Sequence, residues 1–166
     1  MKNLLKSLMR FIFTIFVKKT VKKHGVNIRA NFYTRLTNNT TLGNNVNFNG
    51  MVIRGNGRVH IGDNFHSGKD VLFVNSYHKY DHGNAIPYDT KISINKDINI
   101  KNNVWIGDRV TVLGGVTINE GAIIQAGAVV VSDIEKYGIA GGNPAKVFKS
   151  RNVESYEKLK LENKFC

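Results

Sequence analysis

Residues 106–130 read IGDRVTVLGGVTINEGAIIQAGAVV, and the fold turns on their period. Ile106, Val112, Ile118, Ile124 and Val130 recur every six positions, and Val110, Val116, Ala122 and Ala128 each follow a head by four. An α-helix repeats at about 3.6 residues and a two-faced strand at about 2, so neither yields a period of six. A coil with three short flat walls does, with one hexad to each wall. Two apolar side chains of each hexad then point inward, while Gly, Asn and Asp turn the corners. Stacked coils pair as parallel strands about 4.8 Å apart, and each unit is supported only by its neighbours.

The same register reaches outward in both directions. It starts at Ile94 and Ile100, with Ile98 and Val104 four places on, and ends with Ile134. Further back it appears at Ala30, Leu36, Leu42 and Phe48, slips by one residue at Gly55-Asn56-Gly57, and resumes with Ile61, Ser67 and Phe73. Between Tyr77 and Ile92 it is lost, so residues 78–91 read as a loop interrupting the array. At about eighteen residues per turn, the array holds about five coils. The expected architecture is mainly β, with a coiled domain over 26–149. An N-terminal segment, 1–25, precedes it. A C-terminal tail, 150–166, carries a short helix, with Glu154 and Lys158 one turn apart.

The chain has 166 residues, of which 42% are hydrophobic, enough for one domain with a real core. The single cysteine, Cys166, allows no internal disulfide, so a cytoplasmic protein is expected. Net charge is +12, and every charged residue before Asp63 is a cation, from Lys2 and Lys6 to Arg54 and Arg58. That bias favours an anionic partner. Residues 1–24 place Leu4, Leu5, Leu8, Phe11, Ile12, Ile15 and Phe16 at helical spacing, with Lys2, Lys6 and Arg10 opposite. The apolar run Phe11–Val17 is too short to span a bilayer, which needs about 20 residues. No small-residue cleavage site follows, which argues against a signal peptide. Two readings stay open: the helix packs on its own domain or oligomer, or it anchors peripherally on the inner face of an anionic membrane.

The hexads, the run Asn103-Val104-Trp105-Ile106-Gly107 and the segment Ala140-Gly141-Gly142-Asn143-Pro144-Ala145-Lys146 together resemble the hexapeptide-repeat acyltransferases. The resemblance covers roughly 26–150. It implies a left-handed parallel β-helix, a handedness that the period alone does not supply. It also implies a homotrimer with acetyl-CoA held between neighbouring protomers.

Aliphatic walls are chemically inert, so reactive groups belong to the interruption or the edges. The interruption contains His78 and His82, and imidazole is the side chain suited to move a proton near neutral pH. In the galactoside, maltose and xenobiotic acetyltransferases that this chain resembles, one His takes the proton of the acceptor hydroxyl. The stretch Asn75-Ser76-Tyr77-His78-Lys79-Tyr80-Asp81 resembles the Ser-His-x-Tyr stretch of related polysaccharide acetyltransferases, which points to His78. His82 lies nearer the usual distance from Trp105 and stays as the alternative, and Asp81 is a candidate to orient His78. His60 and His66 are six apart with no third His in register, short of a catalytic zinc set, so no metal is expected.

Coenzyme A needs a narrow groove with cations at one end. The resemblance places Asn143, Pro144 and Lys146 along the nucleotide, with Lys149 nearby, and sets Ala126, Val131 and Ser132 beside the pantetheine. Trp105, Gly107 and Asp108 fall near the acetyl group. The Asp108 N–H is a candidate oxyanion donor, and its carboxylate is a candidate partner for Arg109. The leading function is acetyl-CoA-dependent O-acetylation of a sugar, a cell-envelope polysaccharide or its precursor, by direct attack. N-acetylation of a nucleotide-linked amino sugar and a non-enzymatic β-helix scaffold are the alternatives. Few aromatics interleave the cations, so nucleic acid is not an expected partner.

Overall fold

The computed structural model describes residues 2–166, with side chains from Leu4 onward. Met1 and the side chains of Lys2 and Asn3, part of the predicted basic segment, lie outside the described residues. Helix α1 (Lys2–Thr20) leads into a stack of coils, and helix α2 (Val153–Leu161) follows it. The first wall is a 5-stranded parallel sheet of Lys23–His24, Thr40–Leu42, Val59–Ile61, Ile98–Ile100 and Thr117–Ile118. The second runs Arg29–Ala30, Asn47–Phe48, His66–Ser67, Trp105–Ile106, Ile123–Ile124 and Gly138–Gly142. On the last of these, Ala145–Ser150 folds back antiparallel. The third wall holds Met51–Arg54, Val71–Val74, Thr111–Leu113 and Val129–Val130.

Within the walls the hexads do what their period requires. Ile61, Ile100, Ile106, Ile118 and Ile124 are buried, and Phe48 lies against Phe65 with ring centroids 5.8 Å apart. Burying each such side chain contributes about 1.5–3 kcal/mol. At the first corner, between walls one and two, Asn45, Asn64 and Asn103 adopt φ of 54°, 54° and 61°. Asn tolerates this left-handed conformation better than other side chains do. Its amide then bridges coils: Asn27 Nδ2 donates to Asn45 Oδ1 (2.7 Å), Asn45 to Asn64 (2.9 Å) and Asn64 to Asn103 (2.8 Å). Asn103 Nδ2 ends the column on the Tyr156 hydroxyl of α2 at 2.7 Å. In the next coil the corner residue is Gly121 (φ +72°), where a Cβ would stand 3.0 Å from the Tyr156 ring.

The interruption differs from the expected loop. Ser76–Lys79 and Asp89–Asn95 pair antiparallel as a two-stranded arm, which leaves the third corner between walls three and one. Ile94 keeps the six-residue spacing, yet it sits half-buried on the arm opposite Tyr77, and the coil resumes only at Ile98. Tyr77 is likewise exposed rather than inward. Chain that leaves the walls must still satisfy its backbone N–H and C=O groups, and pairing the outgoing with the returning strand does so. The buried Asp89 carboxylate braces the tip by accepting from Asn84 N (3.1 Å) and Lys91 N (2.9 Å). These bonds hold its pKa below the ordinary aspartate value.

Candidate functional site

The second corner, between walls two and three, stacks many of the predicted contact residues in one column. Gly107 has no room for a side chain there, because a Cβ would lie 2.6 Å from Ala126 N. Gly127 N donates to Asp108 O at 2.8 Å, and Gly141 lies against Gln125, which puts the Gly142–Pro144 turn above Ala126. Several corner N–H groups are taken by a side-chain oxygen of the next coil: Asn44 N by Asp63 (2.6 Å), Asp63 N by Asn102 (2.9 Å) and Lys69 N by Asp108 (2.8 Å), whereas Asn102 N finds none among the described residues. Above Asp108 stands Ala126, which carries no such oxygen. Among the described residues the Asp108 N–H has no acceptor. An N–H held in place and left unpaired is the donor that an oxyanion needs. The Asp108 carboxylate does not face Arg109 as the sequence suggested; it is held by Lys69 N, and Arg109 Nε lies 3.9 Å from Asp70.

Trp105 stands on the second wall beside this column and is 53% exposed. Lys146 lies opposite Gly141 and Lys149 opposite Ile139, both exposed. Two grooves open on the coil, the first on the first-corner side of the second wall and the second in line with the column. One, of about 590 Å³, lies between the second wall and the C-terminal segment and is lined by Trp105, His66, Tyr156 and Phe165. The other, of about 650 Å³, continues the second corner down to the lower coils. Phe32 and Tyr33 form its aromatic side, and Arg35, Arg54 and Lys69 surround it. Sequence reading missed this cationic groove.

The third corner holds the rest. His78 lies on the arm, exposed, with its ring stacked on Tyr88 at 4.9 Å and 7°. Asp81 turns to the neighbouring histidine instead: its carboxylate accepts from His82 N at 3.1 Å and lies 3.7 Å from His82 Nε2. Tyr88 is thus the residue that sets the His78 ring plane. Val131 and Ser132 share this corner, between Val129–Val130 of wall three and the Ile118–Ile134 bridge of wall one. At the base of the arm Asn75 is fully buried, with Nδ2 on Gly57 O (2.8 Å) and Oδ1 unpaired. The chain therefore carries His78, Val131 and Ser132 on one corner. Gly107, Asp108, Ala126, Asn143 and Pro144 stand on another. The stretch Arg109–Gly114 of the third wall separates them by roughly 16 Å at about 3.3 Å per residue.

His60 and His66 sit on different walls: His60 Nδ1 is 3.0 Å from Thr41 Oγ1 and His66 Nε2 is 3.2 Å from Cys166 O. Among the described residues no three His, Cys, Asp or Glu side chains are grouped to hold a metal.

Residues 97–132 match the family model for the bacterial transferase hexapeptide (six repeats). A maltose O-acetyltransferase from Clostridium difficile 630 is 30% identical, with 79% of this chain and 68% of that one aligned at a TM-score of 0.67. The chain belongs to the hexapeptide-repeat acyltransferases. A galactoside acetyltransferase in complex with coenzyme A is 25% identical to this acyltransferase over 92% of this chain and 82% of that one, with a TM-score of 0.71. A hexapeptide-repeat acetyltransferase from Vibrio cholerae O1 biovar eltor, complexed with acetyl-CoA, is 27% identical over 77% and 64%, with a TM-score of 0.55. No curated protein matches the acyltransferase in sequence.

Proposed function

We propose that this acyltransferase moves the acetyl group of acetyl-CoA to a hydroxyl of a sugar, as part of a cell-envelope polysaccharide or its precursor. The observation that carries the reading is the free Asp108 N–H in a column that ends above at Asn143-Pro144 and opens below into an aromatic, cationic groove. His78 takes the hydroxyl proton as the oxygen attacks the thioester carbonyl, and the Asp108 N–H receives the charge that develops on the carbonyl oxygen. Collapse expels the thiolate, which recovers the proton from the imidazolium. The thioester is already activated and, among the described residues, no Ser or Cys stands in the column, so attack is direct.

His78 and Asp108 belong to different corners, which supports a homotrimer in which the arm of one protomer meets the second corner of the next. A closed cyclic contact of this kind generates three identical sites. Phe32 and Tyr33 suit the apolar face of a sugar ring, and the Arg35 and Arg54 forks suit an anionic group on the acceptor. That same groove favours the second reading, N-acetylation of a nucleotide-linked amino sugar. Mass-spectrometric analysis of acetylated products from a panel of hydroxyl and amine acceptors tests the proposal. Acetyl on a sugar oxygen upholds it, and acetyl found only on nitrogen overturns it.

A further inference from the structure

Helix α1 grips the coil with one side only. Val17 and Val21 are buried, Phe13 packs edge-on against Tyr33 at 6.3 Å, and Thr14 Oγ1 accepts from Ala30 N at 3.0 Å. At about 100° per residue these four side chains share one arc of the helix. Leu5, Leu8, Phe11, Ile12, Ile15 and Phe16 spread over about 140° on the opposite arc, facing away from the coil. Their exposure runs from 37% at Ile15 to 63% at Phe11. Nothing among the described residues covers them, and the column, the arm and both grooves use none of them.

Charge decides what covers this face. Lys18, Lys19, Lys22 and Lys23 are exposed where the helix ends, and no acidic residue occurs before Asp63. A second copy that set its own α1 against this face would bring like charges together with no carboxylate to balance them. Nucleic acid would meet the cations but leave the apolar arc in water. A bilayer with anionic headgroups satisfies both features, since acyl chains take the apolar arc and phosphates the lysines. No helix among the described residues is long and apolar enough to cross a membrane, which fits a helix lying in the interface. We propose that α1 is an interfacial anchor that seats the base of the coil on an anionic lipid surface. The inference does not depend on acyl transfer.

The test is flotation of the full chain with two sets of vesicles, phosphatidylcholine alone and phosphatidylcholine mixed with phosphatidylglycerol. The anchor requires binding to the mixed vesicles at least about tenfold above the neutral ones, weakening as salt rises from about 0.1 to about 0.5 M. Replacing Lys18, Lys19, Lys22 and Lys23 by Gln weakens binding by about 10²-fold or more. The double variant Leu8→Gln with Phe11→Gln weakens it at least about tenfold while the circular dichroism and the solution mass stay unchanged. Three results overturn the proposal: no wild-type binding to anionic vesicles, undiminished binding by the Leu8/Phe11 variant, or a fall in that variant's oligomer mass. The last would assign the face to a contact between copies.

Discussion

A subunit-mixing experiment tests the division of the site between two corners. His78→Ala damages only the third corner, whereas Ala126→Trp fills the column above Asp108 and damages only the second. Each pure variant is expected to lose about 10²-fold or more in kcat/KM. If each site joins the arm of one protomer to the second corner of the next, a mixed trimer holds whole sites. A site is whole when an Ala126→Trp protomer supplies the arm and a His78→Ala protomer supplies the column. With equal subunits assembled at random, each condition holds for about half the protomers, so about one quarter of wild-type activity returns. Free-thiol release from acetyl-CoA, measured on the co-refolded mixture, reads it out. Native mass spectrometry confirms that mixed trimers are present. Mixed trimers with no more activity than either pure variant would refute the partition and return the whole site to one protomer.

Further outcomes follow from the same geometry. His82→Ala leaves turnover within about threefold of wild type, while His78→Ala lowers kcat by about 10²–10⁴-fold with acetyl-CoA binding retained, as steady-state kinetics and calorimetry would show. Tyr88→Ala removes the ring stacked on His78, and lowers kcat about tenfold with KM for acetyl-CoA unchanged, whereas Tyr88→Phe restores it. Ile106→Ala opens a void in the fully buried core and costs about 2–5 kcal/mol in denaturant unfolding. Glu120, between Lys160, Lys136 and the Tyr156 hydroxyl, holds α2 on the coil. Burial pushes its pKa up, but the Lys160 hydrogen bond and the charges of Lys160 and Lys136 outweigh this and leave it below its usual 4.5. A lowered folded-state pKa stabilises the docked helix fully above about pH 4.5, and the contribution is lost as pH falls through the lowered value. Hydrogen exchange in α2 should rise on that descent in wild type, and Glu120→Gln should flatten the dependence.

Much of this was legible from spacing alone. Inward side chains such as Ile106 and Ile124 are dictated by the wall geometry, so a period of six names them before any coordinates. The arm was not legible as strands, because Ile94 and Tyr77 keep the lettering of the coil after the backbone has left it, and only pairing reveals the departure. Asp81 stands closer to His78 in the chain than Tyr88 does, yet the turn aims it at His82, and sequence proximity carries no direction. The groove around Arg35, Arg54 and Lys69 assembles residues about one coil apart. The cations, like the apolar positions, recur at about the coil length, and that spacing is the signal that points to the groove.

The asparagine column running from Asn27 to Tyr156 has a polarity. Each amide gives toward the C-terminal end and receives from the side behind, so no rung can be dropped without orphaning the two beside it. Insertions are therefore cheap only on edges that lack such a chain of amides. The arm leaves from one of those, where Gly55, Gly57 and Gly114 crowd around Asn75. The fold keeps one seam sewn from end to end, and lets new chain grow only through another.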